Sequence, residues 1–372
     1  MNEELKQEII AYSKTIGIDK IGFASADPFL TLKERLREQQ RLGYDSGFEE
    51  SDIDLRTEPE RLLPYAKSII AIALSYPSKL KNPPKGVKGN RRGLFCRASW
   101  GADYHHVLND RLQKLQAFIE SRVPDAKTAS MVDTGALSDR AVAERAGIGF
   151  SGKNCMIITP EYGSYVYLGE MITTIPFEPD TPIEEGCGTC NKCVESCPTG
   201  ALVQGGQLDA QKCIAFLTQK KDFIPKQYRK KIGNRLYGCD TCQVVCPINK
   251  GKGETYQPEF EPDPEKVKPE LLPLLSLSNR QFKEKYGEMA GSWRGKKPIQ
   301  RNAILALGHF KEESASETLR LLLTDDARPV IRGTAAWALG EIGGDENEIA
   351  MQQALQKEDD EDVIKEIEEA LT

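Results

Sequence analysis

Cys187, Cys190, Cys193 and Cys197 stand in GCGTCNKCVESCPTG, with Pro198 directly after the last. Cys239, Cys242 and Cys246 stand in CDTCQVVCP, with Pro247 after the last. Thiolates are soft ligands that suit zinc or iron–sulfur clusters. A structural zinc takes four ligands, commonly as two CxxC-like pairs. The first run is instead C-x2-C-x2-C-x3-C-P, the bacterial ferredoxin spacing. There, three cysteines hold one [4Fe–4S] cluster and the fourth reaches a second. Zinc is the competing reading; in a reducing compartment, ten cysteines argue for metal or catalysis over disulfides. The second run lacks one ligand, because Leu236 stands where a full copy would carry cysteine. Of Cys96, Cys155 and Cys213, the last is nearest in sequence. The expected sets are therefore Cys187, Cys190, Cys193 and Cys246 for one cluster, and Cys197, Cys213, Cys239 and Cys242 for the other. Such clusters move single electrons, so another part of the chain must receive them.

The elements that position these groups follow from periodicity. Residues 2–16 and Tyr104–Ser121 carry apolar residues at helical spacing, and Asp139–Ala146 reads as a shorter helix. Lys20–Ala24, Ser68–Ser75, Lys127–Val132, Asn154–Ile158 and Tyr165–Thr174 read as strands. This alternation predicts an α/β domain over 1–178. A ferredoxin-like double-cluster domain is expected over 179–250, and a linker or irregular wrap over 251–296. Over 297–372 the texture is helical. Ala306-Leu307-Gly308, Ala338-Leu339-Gly340 and Ala370-Leu371 recur along it at a fixed interval. That is the mark of a short HEAT-like α-solenoid.

The net charge of −6 hides an uneven distribution. Lys79–Gly101 holds basic residues and no acid, and Gln219–Arg235 holds seven basic residues against Asp222. The segment 345–372 is strongly acidic. The basic segments read equally as solvated faces or as a surface for a polyanion. Ile69–Leu74 is the longest apolar run, far short of a membrane span, and MNEELKQEII has no signal core. A cytoplasmic protein without a membrane partner is expected.

No GxGxxG stands between a strand and a helix, so a dinucleotide fold is not indicated. Gly147, Gly149 and Gly152 in AGIGFSGKN leave room for close approach to a large cofactor. DYHHVL begins like the D-x-H-x-x-G of some cobalamin proteins, but Leu108 replaces the glycine. His105 and His106 read as helix-surface or pocket residues rather than metal ligands.

LRTEPERLLPYAKSIIAIALSY, VDTGALSDRAVAERAGIGFSGKN, the 187–197 cysteines and YGCDTCQVVCP, in this order, closely resemble the epoxyqueuosine reductase family. The resemblance covers essentially the whole chain, and the core is similar to reductive dehalogenases. It implies base-off cobalamin with no protein histidine on cobalt, beside two [4Fe–4S] clusters. It implies reduction of epoxyqueuosine to queuosine at the wobble position of tRNA, fed by an external low-potential electron donor, by a monomer. Arg56, Cys96, Asp133 and Asn154 are implied at the cobalamin site, although packing explains Cys96 equally well. Asp133 is implied as the proton donor, and its place at a strand end suits that role. A partly desolvated carboxyl with a raised pKa would donate near neutral pH. The plainer reading is that Asp133 caps the next helix. Tyr104 and Arg140 are candidates to orient the substrate. Lys220, Lys221, Arg229, Lys230 and Lys231 are candidate RNA contacts, as are Arg301 and Arg332, with Lys296 and Lys297 on the same side. A dehalogenase-like enzyme of small organohalides and a non-catalytic electron carrier or scaffold are the rival readings.

Overall fold

Ser68–Ser75 reads SIIAIALS, and all eight residues are buried. A strand this apolar on both faces needs cover on both, which places it inside a sheet rather than at its edge. In the computed structural model, which describes residues 2–372, it is strand β2 of a four-stranded sheet. The others are β1 (Lys20–Ser25), β3 (Thr128–Met131) and β4 (Val166–Thr173). The order is β1-β2-β4-β3, and every pairing is antiparallel. The expected α/β domain is present, and its sheet is antiparallel throughout. β2 and β4 pair in full register from Ser68↔Thr173 to Ser75↔Val166 although far apart in sequence. Periodicity finds such strands but not their partners.

Helix α1 (Asn2–Thr15) has Glu3 and Glu4 in its first turn and Lys14 in its last, which complements the helix dipole. Helix α2 (Tyr104–Arg122) lies on one face of the sheet; a Cβ on Gly169 would touch its Leu108 and Leu112. Helix α3 (Asp139–Arg145) covers the other face, where Val142 and Ala143 join Ile69, Ala71, Ala73 and Ile172 in one apolar layer. The predicted strand at Asn154–Ile158 is shorter. Only Ile157–Ile158 is extended and pairs with Phe150–Ser151. Asn154 and Cys155 form a turn, with Cys155 at φ +63°.

Contacts divide the chain into two units. The first is Met1–Lys79, Ala102–Cys213 and Asp240–Glu261; the second is Leu80–Gly101, Ile214–Cys239 and Pro262–Thr372. In the first unit the Asp240–Asn249 stretch is anchored by buried amides. Gln243 donates through Nε2 to Tyr76 Oη at 2.9 Å and to the Ser164 carbonyl at 2.9 Å. Asn249 Oδ1 accepts the Ser164 N–H at 2.8 Å. A Cβ on Gly163 would lie 2.2 Å from Asn249 Oδ1, and its φ is +61°, so the position requires glycine.

The second unit contains the expected solenoid: α4 (Lys296–His309), α5 (Ser316–Asp325), α6 (Pro329–Ile342), α7 (Asp345–Leu355) and α8 (Glu361–Ala370). α4, α6 and α8 pack in one row, α5 against α7 in the other. The recurring Ala-Leu-Gly has a packing cause. A Cβ on Gly308 would lie 3.0 Å from Ala338 Cα, and one on Gly340 would lie 2.9 Å from the Ala370 carbonyl. Glycine lets successive row helices approach this closely.

Three residues predicted to face RNA are engaged by partners within this unit, and two of them, Arg229 and Arg301, are buried. Arg301 is 1% exposed. Its guanidinium donates to the carbonyls of Leu217, Thr218, Lys220 and Asp222. Arg229, 2% exposed, makes a bidentate pair with Glu366 at 2.6 and 2.6 Å. Arg332 is paired the same way with Glu358 at 2.8 and 2.7 Å. Lys230 Nζ reaches Glu341 at 2.9 Å, and Lys226 pairs with Glu369. The acidic carboxy-terminal helices thus neutralise much of the basic 226–232 helix. A linear charge count cannot separate a cation facing solvent from one facing a buried carboxylate.

Candidate functional site

Asp133 follows β3 directly and takes φ +52°, a left-handed conformation that aspartate tolerates better than most residues. Its N–H donates to Asp139 Oδ2 at 2.9 Å, at the start of α3. Asp103 caps α2 by accepting the His105 N–H at 3.0 Å. The same carboxylate lies 2.7 Å from His105 Nδ1, and His105 Nε2 lies 3.3 Å from Asp133 Oδ2. The second contact is an ion pair rather than an aligned hydrogen bond. Tyr104 stacks on His105 at 4.2 Å and on Tyr167 of β4 at 4.5 Å. It also hydrogen-bonds Asp133.

This geometry places the proton elsewhere than expected. Burial alone would push the His105 imidazole down. Asp103 and Asp133, one on each ring nitrogen, outweigh burial and raise it to about 9. His105 in turn holds the Asp133 carboxyl below its ordinary value, against desolvation, with help from Tyr104. The Asp133 side chain is 59% exposed. The raised carboxyl pKa expected from sequence is therefore corrected: at neutral pH Asp133 is a carboxylate beside an imidazolium. Sequence reasoning left His105 and Asp103 without a role. The available signal was an acid two positions before a histidine at a helix start.

A cavity of about 210 Å³ is lined by Cys187, Cys190, Cys193 and Cys246, with Asn154, Ile158, Lys192 and Ile248 among its other walls. The four cysteines are the set expected for one cluster. The Lys153 N–H donates to Cys187 Sγ at 3.3 Å, the kind of amide-to-sulfur contact that suits a ligating thiolate. Lys153 Nζ binds the Gly188 carbonyl at 2.8 Å and Asn191 Oδ1 at 2.9 Å, stitching the 151–156 turn to the cysteine loop. Burial raises the Cys193 thiol, and Cys187 and Cys246 beside it raise it further. Four sulfurs gathered at one cavity suit a cluster, whose iron would draw the protons off and bind the thiolates.

Asn154 Nδ2 is buried and has no partner among the described residues, while its Oδ1 accepts the Met156 N–H at 3.2 Å. A Cβ on Gly152 would lie 2.6 Å from Asn154 Oδ1, so the turn is drawn in tightly. Arg140 donates to the Cys155 carbonyl and so braces this turn. Arg56, in the short helix Ile53–Thr57, is half-buried; burial lowers its pKa, and Glu49, Arg140, Glu50 and Asp139 are its charged surroundings. The first unit therefore contains Arg56, Asp133, Arg140, Asn154 and the cluster cavity. Cys96 belongs to the second unit. There its Sγ lies 3.9 Å from Ser99 Oγ, and a Cβ on Gly238 would lie 2.2 Å from that sulfur.

An antiparallel α/β sandwich followed by a double-cluster cysteine segment and a helical solenoid defines an iron–sulfur oxidoreductase. Residues 186–249 match the 4Fe-4S double cluster binding domain, and residues 294–372 match HEAT repeats. Residues 56–134 match the family described as epoxyqueuosine reductase QueG, DUF1730. The epoxyqueuosine reductase of Bacillus cereus is 69% identical over 369 residues, covering 99% of this chain and 97% of that protein. The chain belongs to the epoxyqueuosine reductase family. A crystal structure of an epoxyqueuosine reductase with an epoxyqueuosine-modified tRNA-Tyr stem loop is 63% identical, with a TM-score of 0.98. That match covers 100% of this chain and 99% of the other. A Bacillus subtilis epoxyqueuosine reductase with its catalytic aspartate loop swung out of the active site is 62% identical, with a TM-score of 0.98 over the same shares.

Proposed function

We propose that this protein reduces the epoxide of epoxyqueuosine at the wobble position of tRNA to the alkene of queuosine. The observation that carries the reading is one cavity lined by four cysteines of a cluster-binding pattern and by Asn154, whose buried amide has no partner among the described residues. Cys197, Cys213, Cys239 and Cys242 are assigned to the second cluster from their spacing. Asn154, Arg56 and the 151–156 backbone would hold cobalamin. When bound, cobalamin supplies the centre that passes cluster electrons to the substrate carbon. Both ring nitrogens of His105 face carboxylates, so this histidine is engaged within the protein rather than offered to a cofactor. An external low-potential donor feeds the clusters, and a cytoplasmic monomer fits the reading. No described helix is long and apolar enough to cross a membrane.

Removing the epoxide oxygen as water takes two electrons and two protons. Asp133, on an exposed turn and touching His105, is the group we assign to hand a proton to the departing oxygen. The pair together holds one proton at neutral pH, carried by His105, and that proton passes through the Asp133 carboxylate to the oxygen; the second proton comes from solvent, to which Asp133 is open. The catalytic aspartate of the Bacillus subtilis relative is, in this reading, the counterpart of Asp133. Tyr104, fixed by its stacks, walls the imidazole. Lys220, Lys221, Lys230 and Lys231 are the cations assigned to phosphate contacts; Lys221 and Lys231 are exposed, and Lys230, exposed but paired with Glu341, would exchange that carboxylate for phosphate.

The test is turnover of tRNA carrying epoxyqueuosine, read by nucleoside mass spectrometry. Queuosine should form with the loaded enzyme and a reductant. No queuosine from cluster- and cobalamin-replete protein sinks the reading.

A further inference from the structure

The first unit holds a second pair of acids that the proton path above does not use. Glu170 lies in the middle of β4, between Ala71 on β2 and Met131 on β3. Leu168 and Ile172, two positions away on the same face, belong to the apolar layer beneath α3. Glu170 is 1% exposed. Its carboxyl meets that of Asp139, and no N–H or O–H donor reaches either of its oxygens among the described residues. Two carboxylates cannot both stay ionised in contact inside an apolar layer. A single proton between them removes the conflict and makes a short O–H···O bond. Burial, and then the charge of Asp133, raises Asp139 to about 6, while the bond from Glu170 pulls it the other way. Burial, and then Asp139, raises Glu170 well above its ordinary value, so the proton sits on Glu170. Asp139 also accepts the Asp133 N–H at 2.9 Å, where the chain leaves the sheet for an exposed, left-handed turn.

We propose that Asp139 and Glu170 share one proton and together latch the Asp133 turn. The Glu170 hydroxyl donates to Asp139. Asp139, fixed by that bond, accepts the Asp133 amide and keeps the Asp133 carboxylate against His105. The pair touches no reacting atom, so both are positioning residues. The effect on turnover rests on the reading of Asp133 as proton donor; the latch itself is a statement about the turn.

The test is hydrogen exchange of the loaded enzyme, read on the peptide spanning residues 133–137, with turnover of modified stem loop alongside. Asp139→Ala removes the acceptor. Exchange should rise about tenfold or more, and kcat should fall about tenfold with KM for the RNA unmoved. Glu170→Leu removes the donor and should act the same way. Asp139→Asn keeps an acceptor and Glu170→Gln keeps a donor, so each should restore most of the protection and of kcat. Infrared spectra at neutral pH should show a protonated carboxyl that Glu170→Gln removes. Unchanged exchange in Asp139→Ala, or no such carboxyl in the wild type, overturns the latch. Should Asp139→Ala not fold, the wild-type and Glu170→Gln spectra decide alone. If Asp133→Asn keeps full turnover while Asp139→Ala still speeds exchange, the latch stands and the donor reading of Asp133 falls.

Discussion

His105 is held by two carboxylates whose backbones are set by different devices, a helix cap at Asp103 and a left-handed turn at Asp133. Of these three groups the imidazolium is the one that titrates above neutral pH. Its pKa is raised in the folded state, so its ion pairs stabilise the fold fully below the ordinary 6.5. That contribution is lost as pH rises through about 9. Asp103 and Asp133 are lowered, so their contribution holds above the ordinary 3.8 and is lost as pH falls through their folded values. Turnover should follow the imidazolium, declining as pH rises through about 9. In His105→Gln that limb should vanish from the pH profile of kcat/KM. A limb that persists in the variant belongs to another group. Asp133→Asn should keep cofactor binding, read by absorbance, and lose ~10²–10⁴ in turnover. Full turnover in that variant removes Asp133 as the donor.

Elements of this protein are joined by buried polar contacts placed where sheet and helix packing leave carbonyls or charges to satisfy. Asn249 meets Gly163 so closely that any side chain there collides. Gly163→Ala should cost ~1–2 kcal/mol from the left-handed backbone alone and more from the displaced amide. Because the Gln243–Asn249 stretch carries Cys246, iron content should fall with thermal stability. Unchanged iron would separate the amide network from the cluster. In the second unit, Glu366→Ala would strand the buried Arg229 guanidinium. Denaturant unfolding should show a loss of ~3–5 kcal/mol, as for a broken buried pair. A loss below about 1 kcal/mol would place water at that guanidinium.

At the scale of the molecule, charge is divided between partners inside the fold and cations left for RNA. Three of the arginines expected at an RNA surface are spent internally, so the phosphate contacts rest on lysines. Lys221→Glu and Lys231→Glu should each weaken binding of the modified stem loop and lower its salt slope by about 1. Affinity unchanged at both low and high salt would move the RNA surface elsewhere. Anaerobically prepared protein should carry about eight irons per chain. Zinc in their place would remove the electron path.

The double-cluster motif, the four cysteines that line one cavity, the helical repeats and the order of the elements were all legible in the sequence. Each is a local pattern: ligand spacing, hydrophobic period, or recurrence at a fixed interval. The tertiary structure alone decided that β2 pairs with β4, that Arg229 and Arg301 are interior, and that His105 stands between Asp103 and Asp133. It also revealed the Asp139–Glu170 pair, although a lone acid in the apolar run VYLGEMIT marked one half of it. Strand partners, burial and pKa are set by atoms brought together from distant segments, and no window of sequence contains both sides of such a contact.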